Sequence, residues 1–315
     1  NSYRLPSRVL EVVNTEIRHI GRRQEKDLKP RKEGGVVEAR SNPSMLDVVR
    51  DIRTTVSSDD ETTVMVLFRA RYQLFQFLDE FIDEGIPFRM LTEQRMWTDR
   101  LTEYVRAVEA FAAGETVTGL QTRRLADMLQ DSAFGTNDRD ALFELVETHK
   151  EQSAETALSR LQIPVAEIRV IAPFAPAPES AADMVRKVTS YQRKSIAAYF
   201  EGPHAGMDPS RVRVGTIHSA KGREADHVLL ATDLTEKVVE QIAATIADDR
   251  EDAADFALQE GRVPALTDSE RRVFFVGMSR ARERLVLLEA LISGAATLRV
   301  SVLLHNELGE DPFGG

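Results

Sequence analysis

The sequence predicts an α/β fold, a parallel sheet domain interrupted by a mostly helical inserted subdomain. Three observations carry this. A strand–helix–strand unit sits early in the chain, as "TVMVLF", "YQLFQFLDEFIDEG" and "PFRML". Helical periodicity then takes over from about residue 93 to 205. Apolar strand patterns return in "RVRVGTI", "HVLLATDL" and "RLVLLEAL". The short crossover of the first unit implies a right-handed βαβ arrangement in a parallel sheet. The expected domains are therefore 1–92 for the first part of the sheet domain, 93–205 for the helical insertion, and 206–315 for the second part.

Taken in order, "SRVLEVVNTEIRHI" reads as a helix with Val9, Val13 and Ile17 on one face and Leu10 beside it. A polar loop follows, then the short strand "VVEAR". "NPSMLDVVRDI" reads as a helix with Asn42 as N-cap and Pro43 at the first helical position. "TVMVLF" is a buried strand. The helix after it carries Leu74, Phe77, Leu78, Phe81 and Ile82 on one face and ends at Gly85; "PFRML" is the next strand. In the middle region "MWTDRLTEYVRAVEAFAAG", "TGLQTRRLADMLQ", "RDALFELVETH" and "AADMVRKVTSYQRKSIAAYF" are helical, with Trp97, Tyr104 and Phe111 in a helical core, and "APFAPAPES" is a Pro-rich linker. In "TDSERRVFFVGMSRARERLVLL", Thr267 and Glu270 fit a capping box; Val273, Phe274 and Val276 point inward, and the helix ends near Ser279 and Arg280. The acidic run "DDREDAAD" reads as a solvated face.

Composition bounds the function. The 315 residues are 42% hydrophobic, enough for a substantial core and about two domains. The formal net charge of −10 argues against a surface that broadly tracks phosphates and leaves room only for a local basic groove. Arginine greatly outnumbers lysine, which suits bidentate phosphate contacts. The absence of cysteine excludes disulfides, thiolate metal sites and cysteine nucleophiles. No apolar run approaches a membrane span and nothing at the start resembles a signal peptide, so no membrane association and a cytoplasmic location are expected. The chain opens on "NSYRLP" without Met, as a piece of a longer protein would.

The segment that concentrates chemistry is "TIHSAKGREAD", residues 216–226. It follows a strand, and in open α/β folds the loops at the carboxyl ends of strands face ligands. Gly222 permits backbone conformations closed to other residues. Thr216, His218, Ser219 and Lys221 donate hydrogen bonds and Glu224 accepts them. That mix suits a phosphate or nucleic-acid backbone on one side and a sugar hydroxyl on the other; an ordinary polar turn has the same composition. Likewise, an arginine at the end of a helix complements the dipole, which accounts for Arg280 alone. It does not account for the arginine-rich turn "SRARER" between two buried elements.

"TIHSAKGREAD" resembles motif V of the superfamily-1 helicases of the UvrD/Rep/PcrA group, and "ERRVFFVGMSRARERLVLL" resembles their motif VI. "NSYRLPSRVLEVVN" is similar to motif IV and "VMVLFRARYQLFQFLDEFIDEGIPFRML" to the segment called IVa. All four occur in the family's order, and the helical region falls where the family places its 2B subdomain. The resemblance implies a RecA-like domain 2A carrying an inserted 2B, the C-terminal portion of an ATP-dependent helicase acting on single-stranded DNA or a single-strand/duplex junction. It implies ATP with Mg²⁺ as cofactor, bound mainly by the protein's own N-terminal RecA-like domain. By motif match, Tyr3 stacks on adenine, Arg4 and Arg280 reach the γ-phosphate as the catalytic arginines, and Glu224 contacts the ribose or its neighbourhood. Thr216, His218, Ser219, Arg69 and Arg71 lie along the DNA, and Lys221 shapes the loop or faces DNA.

The sequence also departs from the family. Ser2 stands where Asn is usual, Arg71 where a small polar residue is common, and Arg223 and Ala225 where apolar residues are usual. No G-x-x-x-x-G-K-[ST] occurs in the chain, nor any apolar strand ending in Asp-Glu. Phosphoryl transfer needs the phosphate cradle and metal as well as the arginine, so the chain alone is expected to be inert. The alternative is a non-catalytic, helicase-like module that binds DNA or protein.

Overall fold

The computed structural model describes residues 5–21, 29–30, 32–91, 98–114, 116–153, 155, 157–249, 262–263 and 266–304. The elements, in chain order, begin with α1 (Ser7–Arg18), β1 (Val36–Ser41), α2 (Met45–Ser58), β2 (Val64–Phe68), α3 (Arg71–Asp83) and β3 (Arg89–Met90). They continue with α4 (Asp99–Ala113), β4 (Thr116–Thr118), α5 (Gly119–Met128), α6 (Asp140–Gln152), β5 (Gln162–Pro164), α7 (Val165–Ile171) and α8 (Ser190–Glu201). The last group is β6 (Val212–Thr216), β7 (Ala225–Ala231), α9 (Glu236–Asp249), β8 (Arg262–Val263), α10 (Asp268–Met278), β9 (Ala281–Glu289), β10 (Thr297–Leu298) and α11 (Val300–Leu304). The chain divides into two compact units: Asn1–Phe81, Met90–Thr92 and Pro209–Gly315 make the first, and Ile82–Arg89 with Glu93–Asp208 the second.

The first unit is built on a six-stranded parallel sheet in the order β1-β9-β7-β2-β6-β3, the architecture of a RecA-like domain. The strands are apolar because both faces are covered. Met65, Leu67, Val228, Leu230, Leu285 and Leu287 share one face, where they join Val9 and Val13 of α1, Ile242 of α9, Phe274 and Met278 of α10 and Leu303 of α11 in a single buried cluster. Alternation turns Val64, Val66 and Phe68 to the other face. There Phe68 meets Phe77 of α3 with ring centroids 5.3 Å apart, and Phe77 meets Phe81 at 5.0 Å. On the same face, Arg284 of β9 and Arg40 of β1 converge on Asp51 of α2, with Glu38 beside them.

The second unit packs α4–α8 around Tyr104, Phe111, Leu125, Phe134 and Ile163, with β4 and β5 paired antiparallel. The buried Tyr104 hydroxyl donates to the Ala181 carbonyl at 2.9 Å. Reciprocal capping boxes start α5 (Thr118 with Gln121) and α8 (Thr189 with Gln192).

Several local expectations are corrected. Asn42 is not a cap: it sits at φ 50°, a left-handed conformation asparagine tolerates, and Ser44 caps α2 by accepting from the Asp47 amide at 3.1 Å. The helix expected from 181 starts only at Ser190, because Lys187 adopts φ 57° and Val185 forms a bridge with Leu129. "APFAPAPES" does not string out as a linker; Ala172 is buried and the Phe174 amide donates to Ala133. Strand β3 is shorter than "PFRML". Trp97 and residues 250–255 of the acidic run lie outside the described residues.

Beyond the carboxyl end of β7, Asp233 is fully buried and accepts from the amides of Leu291 (3.3 Å) and Ile292 (3.2 Å). Burial pushes its carboxyl up to about 7; those amides oppose the shift and Glu289 adds to it. A raised acid pKa means the folded state holds the proton longer than the unfolded chain, whose Asp titrates near about 3.9. Stability from this group is therefore greatest in acid, falls as pH rises toward about 7 by at most about 1.4 kcal/mol per pH unit, and is flat above it. Burial lowers the pKa of His227, giving an opposite slope over the lower part of that range. The difference between wild type and Asp233→Asn isolates Asp233. Denaturant melts from pH 5 to 8.5 should show wild type losing stability relative to the variant until about pH 7, and no further change above it.

Candidate functional site

Two parallel strands cannot be joined by a hairpin; the chain must return from the carboxyl end of one to the amino end of the next. Here the return is residues 217–224. They leave β6 at Thr216, which pairs with Phe68 at the carboxyl end of β2, and enter β7 at Ala225, ahead of the row in which Val64 pairs with His227. The segment lies on the face shared with α10, starting as a 3₁₀ turn over Ile217–Ala220 whose Ile217 and Ala220 are buried in the core. Gly215 makes room for the passage: a Cβ there would stand 2.6 Å from Ser219 Oγ and 2.7 Å from Leu91 Cβ. Gly222, at φ 80°, sits in a turn closed by the Arg223 amide donating to the Ala220 carbonyl at 3.0 Å.

The crossing sorts the expected site residues into two groups at opposite ends of the sheet. At the carboxyl edge are Thr216, His218, Ser219, Arg69 and Arg71. Thr216 Oγ1 accepts from the Ser219 amide at 3.4 Å, and Ser219 Oγ donates to the Thr216 carbonyl at 2.6 Å, so both hydroxyls also shape the turn. His218 and Lys221 are exposed. Arg71 is exposed at the start of α3, its guanidinium 5.6 Å from the Phe75 ring centroid. Arg69 is differently placed: its Nε and Nη2 fork onto the buried carboxylate of Glu270 at 2.7 and 2.8 Å. This hydrogen bonding raises the Arg69 pKa further, against its burial. The capping box is consequently half made: Thr267 caps the Glu270 amide, while Arg69 holds the Glu270 carboxylate.

At the amino edge are Glu224 and Arg280, joined through the backbone by the Ala225 amide donating to the Arg280 carbonyl at 3.1 Å. Arg280 donates from Nε to the Val276 carbonyl (2.8 Å), from Nη2 to Ser279 Oγ (2.9 Å) and from Nη1 to the Arg223 carbonyl (3.4 Å). It thus folds over the end of α10. Glu224 receives Arg282 Nε at 3.1 Å, and its carbonyl accepts from Arg213 Nη2 at 2.7 Å. Asp226 is pinned by the Thr63 amide (2.9 Å) and hydroxyl (2.6 Å). Burial raises its pKa, but those bonds prevail and hold it below the usual range.

Sequence reasoning missed Arg213 and Arg282. Burial lowers the pKa of Arg213, and the nearby charges of Arg223 and Arg282 lower it further; its Nε is buried with no hydrogen-bond partner among the described residues. The signal in the sequence was the alternation in "RVRV", which places a charged side chain on the face the loop crosses. Tyr3 and Arg4 lie outside the described residues.

The order of these features along the chain, a strand, a crossing loop with Glu224 at its far end, and a helix delivering Arg280 beside it, matches a known domain. Residues 196–291 match the UvrD-like helicase C-terminal domain. The match spans β6 to β9 and includes both ends of the crossing loop. It supports the reading of this chain as the C-terminal portion of a UvrD-like superfamily-1 helicase. No curated protein matches the chain. No described helix is long and apolar enough to cross a membrane.

The Arg69–Glu270 clamp ties the end of β2 to the start of α10. Removing the arginine strands a buried carboxylate, which typically costs about 3–5 kcal/mol. Arg69→Ala should lose stability toward the low end of that range in denaturant melts. Arg69→Lys should recover only part of it, because ammonium cannot span both carboxylate oxygens. Wild-type stability for Arg69→Ala would contradict the clamp.

Proposed function

We propose that this chain is the C-terminal half of an ATP-dependent DNA helicase or translocase, and that its two sheet ends divide the work. Under this reading the second unit corresponds to the family's 2B insertion. The carboxyl edge, with Thr216, His218, Ser219 and Arg71, and with Lys221 further along the crossing segment, follows single-stranded DNA or a single-strand/duplex junction. Arg69 contributes through the clamp that sets the start of α10. The amino edge, with Glu224 and Arg280, and with Tyr3 and Arg4 by motif match, meets ATP held by the protein's own N-terminal RecA-like domain.

One observation carries the reading: Glu224 and Arg280 stand side by side across β7 and β9, at the opposite end of one continuous loop from Thr216. The electrostatics fit a polyphosphate there. Among the described residues, Arg213, Arg223, Arg280 and Arg282 gather around two carboxylates, Glu224 and Asp226. When bound, Mg²⁺-ATP supplies the reactive phosphoanhydride. On this reading the metal is held by the N-terminal RecA-like domain. On this side Arg280 would exchange its contacts at the end of α10 for phosphate oxygens, while Glu224 orients the sugar.

The test uses the full-length protein. An arginine finger is worth about 10³–10⁵ in turnover in NTPases that use one. Arg280→Ala should abolish most DNA-stimulated ATPase activity, with a stability loss of only about 0.3–1 kcal/mol, the usual value of a helix-end cation. Arg280→Lys should not restore turnover, since it lacks the planar fork. Steady-state ATPase assays beside thermal melts decide the matter: turnover near wild type, or falling only in step with melting temperature, would reduce Arg280 to a cap on α10. The 315-residue chain by itself should hydrolyse no ATP; DNA-stimulated turnover surviving purification would refute that.

A further inference from the structure

The outer face of α3 carries two large rings that the fold does not hide. Leu74, Phe77, Leu78 and Phe81 fill the inward face and are buried, yet Tyr72 is 50% exposed and Phe75 38% exposed. An isolated exposed ring is ordinary. These two are one helical turn apart, which makes them neighbours on the helix surface, and Arg71 lies over the Phe75 ring at 5.6 Å.

Their position adds meaning. Helix α3 begins immediately after Arg69 and Ala70, at the carboxyl end of β2, and Phe68 pairs there with Thr216. The first turn of α3 is therefore at the same sheet edge as Thr216 and the exposed His218 that follows it. The rest of the outward stripe is polar, with Gln76 and Asp79 exposed below the rings. Two aromatic rings on an otherwise polar stripe of α3 are a poor start for a protein interface, which needs about 1,200 Å² of buried surface and an apolar centre. Flat rings beside a guanidinium are well suited to nucleobases, whose π-faces stack on aromatics whatever the sequence.

We propose that Tyr72 and Phe75 form a stacking ledge for the bases of single-stranded DNA, with Arg71 beside them for the backbone; this rests on the strand-binding reading above. The ledge divides the labour at the carboxyl edge: the 216–221 turn meets phosphates and α3 meets bases. Stacking is indifferent to base identity, so the ledge grips a strand without reading it.

The test separates bases from backbone. The 315-residue chain is titrated into a labelled oligo-dT and into an abasic oligomer of equal length, by fluorescence anisotropy. Wild type should prefer oligo-dT. Tyr72→Ala and Phe75→Ala should each weaken oligo-dT binding by about 5- to 150-fold, the usual worth of one stacked base, and leave abasic binding unchanged. Tyr72→Phe should retain wild-type affinity. Both rings are on the surface, so circular dichroism should show the variants folded. Equal wild-type affinity for both oligomers would remove the ledge and leave the strand-binding reading standing. Binding to neither would remove both. Unchanged oligo-dT affinity in the alanine variants, with a concentration-dependent dimer that they dissolve, would assign the rings to a second copy of the chain and overturn the proposal.

Discussion

The return of the chain from β6 to β7 is the constraint on which the site depends. Parallel strands oblige the backbone to cross the sheet, and most crossovers use a helix of a dozen residues or more to do it. This one uses a 3₁₀ turn and a second tight turn through Gly222, lying so close to the sheet that residue 215 can carry no side chain without meeting Ser219 and Leu91. Such a tight crossing leaves no room for an unrelated surface loop between its ends. Thr216 and Glu224 are near in sequence yet fall on opposite edges of the sheet. The charged residues in "TIHSAKGREAD" mark where the segment emerges at each edge, while Ile217 and Ala220 hold its middle in the core.

Helix α10 makes the same journey in the same direction, from the carboxyl edge to the amino edge. Its first turn is fastened by two adjacent ion pairs: Glu270 to Arg69 at the end of β2, and Arg271 to the buried Glu16 of α1 at 3.0 and 3.1 Å. Its last turn presents Arg280. Phe274 and Met278 are buried between, so the helix is a packed rod about 16 Å long. Breaking a buried pair is expensive because the remaining charge stays unsolvated. The clamps therefore define where α10 starts, and helical geometry then fixes where Arg280 can stand. Residues far from any phosphate position the arginine that the proposed function assigns to one.

Much of this was legible in the sequence, and the reasons differ by element. The strands declared themselves as continuous apolar runs because both sheet faces are covered, and Gly85 announced the end of α3 because that position adopts φ 65°. The capping box at Thr267 was half right: spacing revealed that Glu270 belongs to the first turn, but not that Arg69, distant in sequence, would claim its carboxylate. Asn42 and Ser44 are both good caps by type, and only the backbone turn at Asn42 decided between them. The stretch before α8 has helical composition, yet Lys187 takes a left-handed conformation there. In the site, residue types at motif positions nominated the members of both groups. The separation of those groups across the sheet was invisible, because it follows from β6 and β7 running parallel in one sheet. Arg213 escaped notice for the same reason.

The contacts of Arg280 bear on how a nucleotide could act through it. At the end of α10 its guanidinium donates to neutral oxygens, the carbonyls of Val276 and Arg223 and the hydroxyl of Ser279. In such bonds only the donor is charged. A phosphate adds the opposite charge and a pair of oxygens that the fork can span, which makes those bonds stronger as well as directional. On the proposed reading, a terminal phosphate arriving at the amino edge draws the guanidinium away from Val276 and Ser279, and its loss returns the arginine to them. Neither state needs the fold to change, because Phe274 and the first-turn clamps anchor α10 independently of its last residue. On that reading the helix-end bonds take the guanidinium back between visits, which makes the exchange reversible. On the proposed reading, such reversibility is what lets an arginine report the presence of one phosphate to the DNA-facing edge at the other end of the sheet.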